Sequence, residues 1–208
     1  MAKNKHFLIT AGGTREYIDP VRFISNASSG KMGYALAGAA IKAGHLVTLI
    51  TAPTNLMPPG RAKIVRVETS AQMFTAVKRH FPKCDCLIMA AAVSDYTPIK
   101  TSKTKIKKSN TALTIKLKPT ADILKWAGQH KKKQIVVGFA LEDKALKTRA
   151  EKKLTQKNLD MIIANTPAAI GTEKSSVHIL SAKGRWTTLL FAGKAAAAKK
   201  IVSMIDAL

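Results

Sequence analysis

The segment Ile9–Gly33, ITAGGTREYIDPVRFISNASSGKMG, decides how this 208-residue chain folds. An apolar run ends in Gly12-Gly13-Thr14, and a helix opens only around Ser28-Ser29-Gly30-Lys31-Met32-Gly33. One tight turn suffices to join a strand to a helix, so a long, polar, glycine-bearing crossing marks a loop that holds something. The run before it, Lys5–Thr10, reads as a buried strand. The helix after it, Ser29–Ala43, sets Met32, Ala35, Leu36, Ala39 and Ala40 on one face and stops at Gly44.

Outward from this unit the alternation continues. Strands are expected at His45–Thr51, Ala62–Glu68 and the wholly apolar Cys86–Ala92. Between the last two, Thr69-Ser70-Ala71-Gln72 has the spacing of a capping box and opens a helix to about His80. Strands alternating with helices imply an α/β, Rossmann-like three-layer fold around a mostly parallel central sheet. Ligands of such sheets bind beyond the carboxyl ends of the strands. Those ends are Thr10–Thr14 and Ala91–Tyr96, so both unusual loops fall on one edge.

The second half reads differently. Residues 97–110, TPIKTSKTKIKKSN, form a flexible lysine flap too charged to pack. A strand at Leu113–Leu117 is followed by KPTADILKWAG, a turn into a short helix. Gln134–Ala140 is a buried strand, Glu142–Gln156 a basic helix and Asp160–Ala164 a further strand. Val177–Leu180 and Trp186–Leu190 read as a hairpin extension, and Gly193–Ala207 as a closing amphipathic helix. No repeat or linker divides the chain, so a single domain over 1–208 is expected.

Composition narrows the function classes. The net charge is +23, with +7 in residues 1–99 and +16 in residues 100–208. Such a field attracts polyanions, either nucleic acid or polyphosphate nucleotides. Aromatic residues make up only 5%, too few for a stacking platform, which disfavours a nucleic-acid-binding module. A Rossmann oxidoreductase lacks its fingerprint glycines and the acidic residue about 20 positions on. Cys84 and Cys86 lack two further zinc ligands at matching spacing and read as buried strand thiols. The N-terminus leads into a strand rather than a signal-peptide core, and no apolar run approaches the roughly 18 residues of a membrane span. A cytoplasmic location follows as the expectation.

The candidate chemistry is that of phosphates. The helix start at Ser28–Gly33 offers free N–H groups and a positive dipole end to an anion. Just before it, Arg22 offers a planar fork to carboxylate or phosphate, and Asn26 both donor and acceptor. Asp95 lies past a buried strand and suits a nucleotide hydroxyl, an amino group or a metal ion. Lys105, Lys107 and Lys108 could close over a triphosphate. Lys153 and Lys157, four apart, share one helix face.

The segments GGTREYIDPVRFISNASSGKMG, AAAVSDY, KIKK, KPTADIL, VGFALED and KKLTQKNLDMIIAN occur in this order over about residues 6–195. Together they resemble the phosphopantothenate–cysteine ligase (phosphopantothenoylcysteine synthetase) family of coenzyme A biosynthesis. The resemblance implies a two-step ligation. CTP, or ATP in eukaryotic members, activates the carboxylate of 4′-phosphopantothenate as an acyl-nucleotidylate with release of pyrophosphate. The amine of L-cysteine then displaces the nucleoside monophosphate, with Mg²⁺ as cofactor. By the same resemblance Asn26 contacts and protects the acyl-nucleotidylate, Arg22 supports that loop, and Lys105 is the first lysine of the covering flap. Met89, Ala90 and Ala91 contact the base through backbone atoms, with Asp95 on nucleotide or metal. Ala121, Asp122, Ile123, Leu124, Phe139, Lys153 and Lys157 complete the nucleotide site. Gly13, Ser28, Ser29, Gly30, Lys31 and Met32 meet the phosphopantothenate. The family usually has Pro where Ala121 stands, and often Asn where Ser175 stands in the Gly171–Ser176 loop. Members are homodimers with exchanged strands. Many bacterial members are fused to a flavin-containing decarboxylase, so a separate decarboxylase is expected to act downstream here.

Overall fold

The computed structural model describes residues 4–166, 172 and 174–208. In chain order the first half runs β1 (His6–Ala11), β2 (Arg15–Tyr17), β3 (Phe23–Ser25), α1 (Lys31–Lys42), β4 (Leu46–Thr51), β5 (Lys63–Arg66), α2 (Ser70–His80) and β6 (Cys86–Met89). The second half runs β7 (Tyr96–Pro98), β8 (Leu117–Pro119), α3 (Ile123–His130), β9 (Ile135–Leu141), α4 (Leu146–Gln156), β10 (Met161–Asn165), β11 (Lys174–Ser181), β12 (Trp186–Gly193) and α5 (Lys194–Asp206).

Eight strands form one sheet in the order β12-β11-β10-β9-β6-β1-β4-β5. From β10 through β5 every pairing is parallel, and β11 and β12 add an antiparallel hairpin to the β10 edge. The alternation of β1 explains the layers. Phe7, Ile9 and Ala11 point to the α1/α5 side, where Leu36, Ala40, Ile201 and Ile205 are fully buried against them. Leu8 points to the opposite side with Met73, Val77, Ile123, Ala127 and Ala150 from α2, α3 and α4. A sheet coated on both faces needs apolar residues at nearly every central position, which is why β6 reads Cys-Leu-Ile-Met without polar interruption. Of the two thiols read as strand residues, Cys86 opens β6 while Cys84 lies before it, outside any strand; both are free and buried, and burial pushes Cys84 up to about 12.

The capping box is present: Thr69 accepts from the Gln72 N–H while the Gln72 side chain accepts from the Thr69 N–H. Elsewhere the boundaries move. The first helix starts at Lys31, two residues after Ser29, because Gly30 is left-handed and cannot belong to the helix. The Glu142–Gln156 helix starts only at Leu146: Ala145 is left-handed, and Glu142 is held back by Arg149 at 2.9 Å. The strand expected at Leu113–Leu117 lies instead at Leu117–Pro119, pairing antiparallel with Tyr96–Pro98. The start of the lysine segment is therefore a strand, correcting the expectation of an unpacked loop from Thr97. The crossing between β1 and α1 is itself a ribbon, β2 paired with β3. Of the Gly171–Ser176 loop, Gly171 and Glu173 lie outside the described residues, while Ser175 sits in β11 opposite Ala192.

Candidate active site

In the parallel part of the sheet the chain goes outward from β1 to β4 and β5, then returns to the other side of β1 through β6, β9 and β10. The strand order thus reverses between β1 and β6, and such a switch point opens a crevice at the carboxyl ends. The loops leaving these two strands are tied together there. Ala92 N–H donates to Gly12 O at 2.8 Å, Thr14 N–H to Ala92 O at 3.3 Å, and Ser94 N–H to Thr14 Oγ1 at 2.9 Å. Thr10 Oγ1 accepts from Ala91 N–H at 3.1 Å, and Thr120 donates its hydroxyl to Ser94 O at 2.7 Å. Short polar side chains at strand ends therefore hold the crevice open as a fixed frame.

The crevice is a cleft of about 910 Å³. Asn26 reaches it from the end of β3, with Nδ2 donating to Val93 O at 3.1 Å and Ala92 O at 3.4 Å. Its amide oxygen has no partner among the described residues. Ser28, Ser29, Gly30, Lys31 and Met32 bring the start of α1 to the same cleft. The helix can come this close because Gly33 has no side chain: a Cβ there would stand 2.6 Å from Ala11 Cβ and 2.9 Å from Thr10 O. Met89, Ala90, Ala91 and Asp95 line it from β6 onward, and Ala121, Asp122, Ile123 and Leu124 from the start of α3.

Phe139, Lys153 and Lys157 close the far side. Lys153 donates Nζ to Phe139 O at 2.8 Å, and Lys157 Nζ lies 2.7 Å from Asp122 Oδ2. Burial, reinforced by the neighbouring Lys157 charge, pulls the Lys153 ammonium below its ordinary value. Asp122 caps α3 by accepting from Lys125 N–H at 2.9 Å. Burial pushes its carboxyl up, but Lys157 and the Lys125 amide outweigh this, and the net shift is downward. Glu142, also at the cleft, is engaged by Arg149. Asp95 carries no side-chain partner among the described residues.

Three expected site residues do not line this cleft: Gly13, Arg22 and Lys105. Gly13 is a packing position, since a Cβ would stand 2.7 Å from Asn26 O, and its absence lets the β3 end lie over the loop. Arg22 is turned to Asp19 at the far tip of the ribbon, and Lys105 is exposed beside it. Conversely, Tyr96, Glu142, Asn165 and Lys194 line the cleft without having been anticipated. Glu142 and Asn165 directly follow β9 and end β10, so their signal was position at the carboxyl edge. Lys194 opens α5 and has no local signal. Asn165 Oδ1 is buried there without a hydrogen-bond partner among the described residues.

Comparison with known proteins agrees with this architecture. The family model for the DNA/pantothenate metabolism flavoprotein C-terminal domain matches residues 2–208. The coenzyme A biosynthesis bifunctional protein CoaBC of Bacillus subtilis is 44% identical over 211 residues, covering 99% of this chain and 52% of the relative. A crystal structure of the C-terminal domain of a CoaBC protein superposes with TM-score 0.87 at 38% identity, covering 99% of this chain and 95% of that one. The DNA/pantothenate metabolism flavoprotein of Streptococcus pneumoniae gives TM-score 0.87 at 26% identity over 98% of this chain and 99% of that one. The chain spans about half the length of the curated relatives it matches. With model, sequence and fold in agreement over essentially the whole chain, it belongs to the DNA/pantothenate metabolism flavoprotein C-terminal domain family.

Proposed function

We propose that this protein is the ligase that joins 4′-phosphopantothenate to L-cysteine in coenzyme A biosynthesis, using CTP. The observation that carries the reading is the convergence of Asn26, Asp95, Asp122, Lys153 and Lys157, from four separated segments, on one switch-point cleft in a chain of this family. Its +23 charge suits a triphosphate and a phosphorylated carboxylate, both anionic.

The chemistry asked of the cleft is demanding. A free carboxylate is a poor electrophile, being anionic and having no adequate leaving group. Its oxygen attacks the α-phosphorus of CTP, pyrophosphate leaves, and the carboxyl becomes a mixed anhydride. The cysteine amine then attacks the acyl carbon, CMP leaves, and the nitrogen gives up a proton. Lys153 and Lys157 supply positive charge to the phosphates, more effectively for being partly buried. The N–H groups at the start of α1 receive the phosphate of the pantothenate half. Asn26, its Nδ2 fixed on Val93 and Ala92 carbonyls, offers its oxygen to the intermediate, and Lys105 of the flap shields it from water. The backbone of Met89–Ala91 meets the base.

The donor set also fits Mg²⁺, which takes one or two carboxylates and completes its shell with phosphates and water. Asp95 is the cleft carboxylate without a protein partner among the described residues, whereas Asp122 and Glu142 are engaged. The ion would supply charge neutralisation between the phosphates. The protein acts in the cytoplasm as a homodimer, and a decarboxylase consumes its product.

The deciding measurement is pyrophosphate release with CTP and with ATP, phosphopantothenate present and cysteine first withheld, then added. Release with CTP and amide formation on adding cysteine are expected. ATP working in its place would move the protein to the ATP-using class, and no release from either would end the ligase reading.

A further inference from the structure

Asp19 has no place in the cleft, yet it is fully buried in the turn that joins β2 to β3, beside the exposed Pro20, Val21 and Arg22. Its Oδ1 accepts from Val21 N–H at 2.9 Å and Arg22 N–H at 2.8 Å, which is ordinary turn chemistry. Its Oδ2 does something else. It accepts from Arg22 Nε at 2.9 Å, from Arg22 Nη2, and from the backbone N–H of Ile106 at 3.1 Å, 87 residues away. Arg22 Nη2 in turn donates to Ile106 O at 2.7 Å. Both backbone groups of Ile106 are thus held by one ion pair, as a neighbouring strand would hold them.

Two further bonds run the same way. Ser102 N–H donates to Ile18 O at 2.9 Å, and Thr101 Oγ1 to Tyr17 O at 3.0 Å. Ile106 is half-buried, while Lys105, Lys107 and Lys108 around it are exposed. The lysine segment is therefore anchored at its centre and free at its charges. The anchor is a charge-assisted, forked contact, stronger and more directional than a neutral hydrogen bond. A turn alone needs only one carboxylate oxygen; the second is spent on the flap.

We infer that Asp19 is a positioning residue for the ligation: acting through Arg22 and the Ile106 backbone, it sets where Lys105 projects. This rests on the ligase reading above. It also gives Arg22, which lies outside the cleft, a task at a distance from it. Because a misplacement of about 1 Å can cost a hundredfold in rate, loosening the anchor should lower turnover without weakening nucleotide binding in the cleft.

The test compares wild type, Asp19→Asn, Ile106→Pro (which deletes the N–H that Oδ2 accepts), Lys105→Gln, and Asp19→Asn combined with Lys105→Gln. Circular dichroism checks folding. Trypsin cleavage after Lys107 and Lys108, sites that every variant keeps, reads the anchor in the ligand-free protein, and pyrophosphate release reads turnover. Asp19→Asn and Ile106→Pro are expected to cut about tenfold faster at the flap, matching the loss of a hydrogen bond to a charged group. Their kcat should fall about a hundredfold with KM for the triphosphate nearly unchanged. Adding Asp19→Asn to Lys105→Gln should cost nothing more, since the carboxylate acts through that lysine. Losses that multiply in the double variant would overturn the inference. So would unchanged flap cleavage, a raised KM at constant kcat, or an unfolded Asp19→Asn beside an Ile106→Pro of wild-type kcat. A wild type inert toward both triphosphates would instead sink the ligase reading, which the cleavage assay does not depend on.

Discussion

At the amino ends of the parallel strands Asp85, Asp160 and Asp206 each hold two parts of the chain together, whereas at the carboxyl ends Asp95 holds none. Asp85 accepts from His6 N–H at 2.8 Å, joining the starts of β6 and β1. Asp160 accepts from Lys131 Nζ and from Val136 N–H, each at 2.8 Å. Asp206 lies 3.0 Å from His45 Nε2 and 3.4 Å from Lys5 Nζ, closing α5 onto the sheet. His45 Nδ1 accepts from Lys5 N–H, so the ring donates from Nε2. One end of the sheet uses charge to satisfy its own backbone; the other leaves a carboxylate unpaired among the described residues, half-buries Lys153 and packs glycine at Gly33. The difference separates residues engaged in holding the fold from residues whose polar groups are left available at the cleft.

The contrast can be broken most severely at the carboxyl end. Lys105→Gln is expected to lower product formation by about a thousandfold while leaving the thermal midpoint unchanged, because the side chain is exposed. Asn26→Asp should release CMP without matching amide, detectable by comparing the two products in one assay. At the amino end the pattern should invert. Asp160→Ala leaves Lys131 and the Val136 N–H without their acceptor and should cost about 2 kcal/mol of stability in denaturant titration, with kcat retained.

Lys153→Met sharpens the comparison further. Burial already disfavours its charge, so removing it should be neutral or slightly stabilising. The KM for nucleotide should nevertheless rise about tenfold. A loss of stability instead would make this lysine structural. The acid limb offers a smaller effect. The folded-state pKa of Asp122 is lowered, so its contribution is present above the ordinary value of 3.8 and lost as pH falls through the lower folded value. The difference in thermal midpoint between wild type and Asp122→Asn should therefore be largest near neutrality and shrink below pH 3.8. Smallest of all, Cys84 and Cys86 should resist a thiol reagent at pH 8 in the native protein and react only on unfolding, since burial raises both.

Much of this was readable along the chain because it is local. The buried apolar run of β1, the apolar start of β6 and the Thr69–Gln72 box depend on neighbours a few positions apart, and each begins within a residue of where its sequence indicates, although β6 ends at Met89 rather than Ala92. Two features were not readable for the opposite reason. Arg15–Tyr17 and Phe23–Ser25 are three-residue strands around a proline turn, with too few residues to show a period. Leu117–Pro119 is a strand because Tyr96–Pro98 lies beside it, not because of its own composition. In the cleft, residues at strand ends were legible as an edge. Glu142 and Asn165 needed the order of β9 and β10 to be known, and Lys194 needed the packing of α5.

The sequence by itself determined the layers: hydrophobic periodicity dictates which faces must be buried, and alternating strands and helices leave few ways to bury them. It also determined that the loops after β1 and β6 share an edge. Only the tertiary structure decided what becomes of the charges. Asp19, Asp95 and Asp160 are the same residue type, yet one anchors a segment 87 positions away, one has no side-chain partner among the described residues and one ties two strands together. An ionised group is defined by the partners and water it meets in space, and that information is not local in the chain.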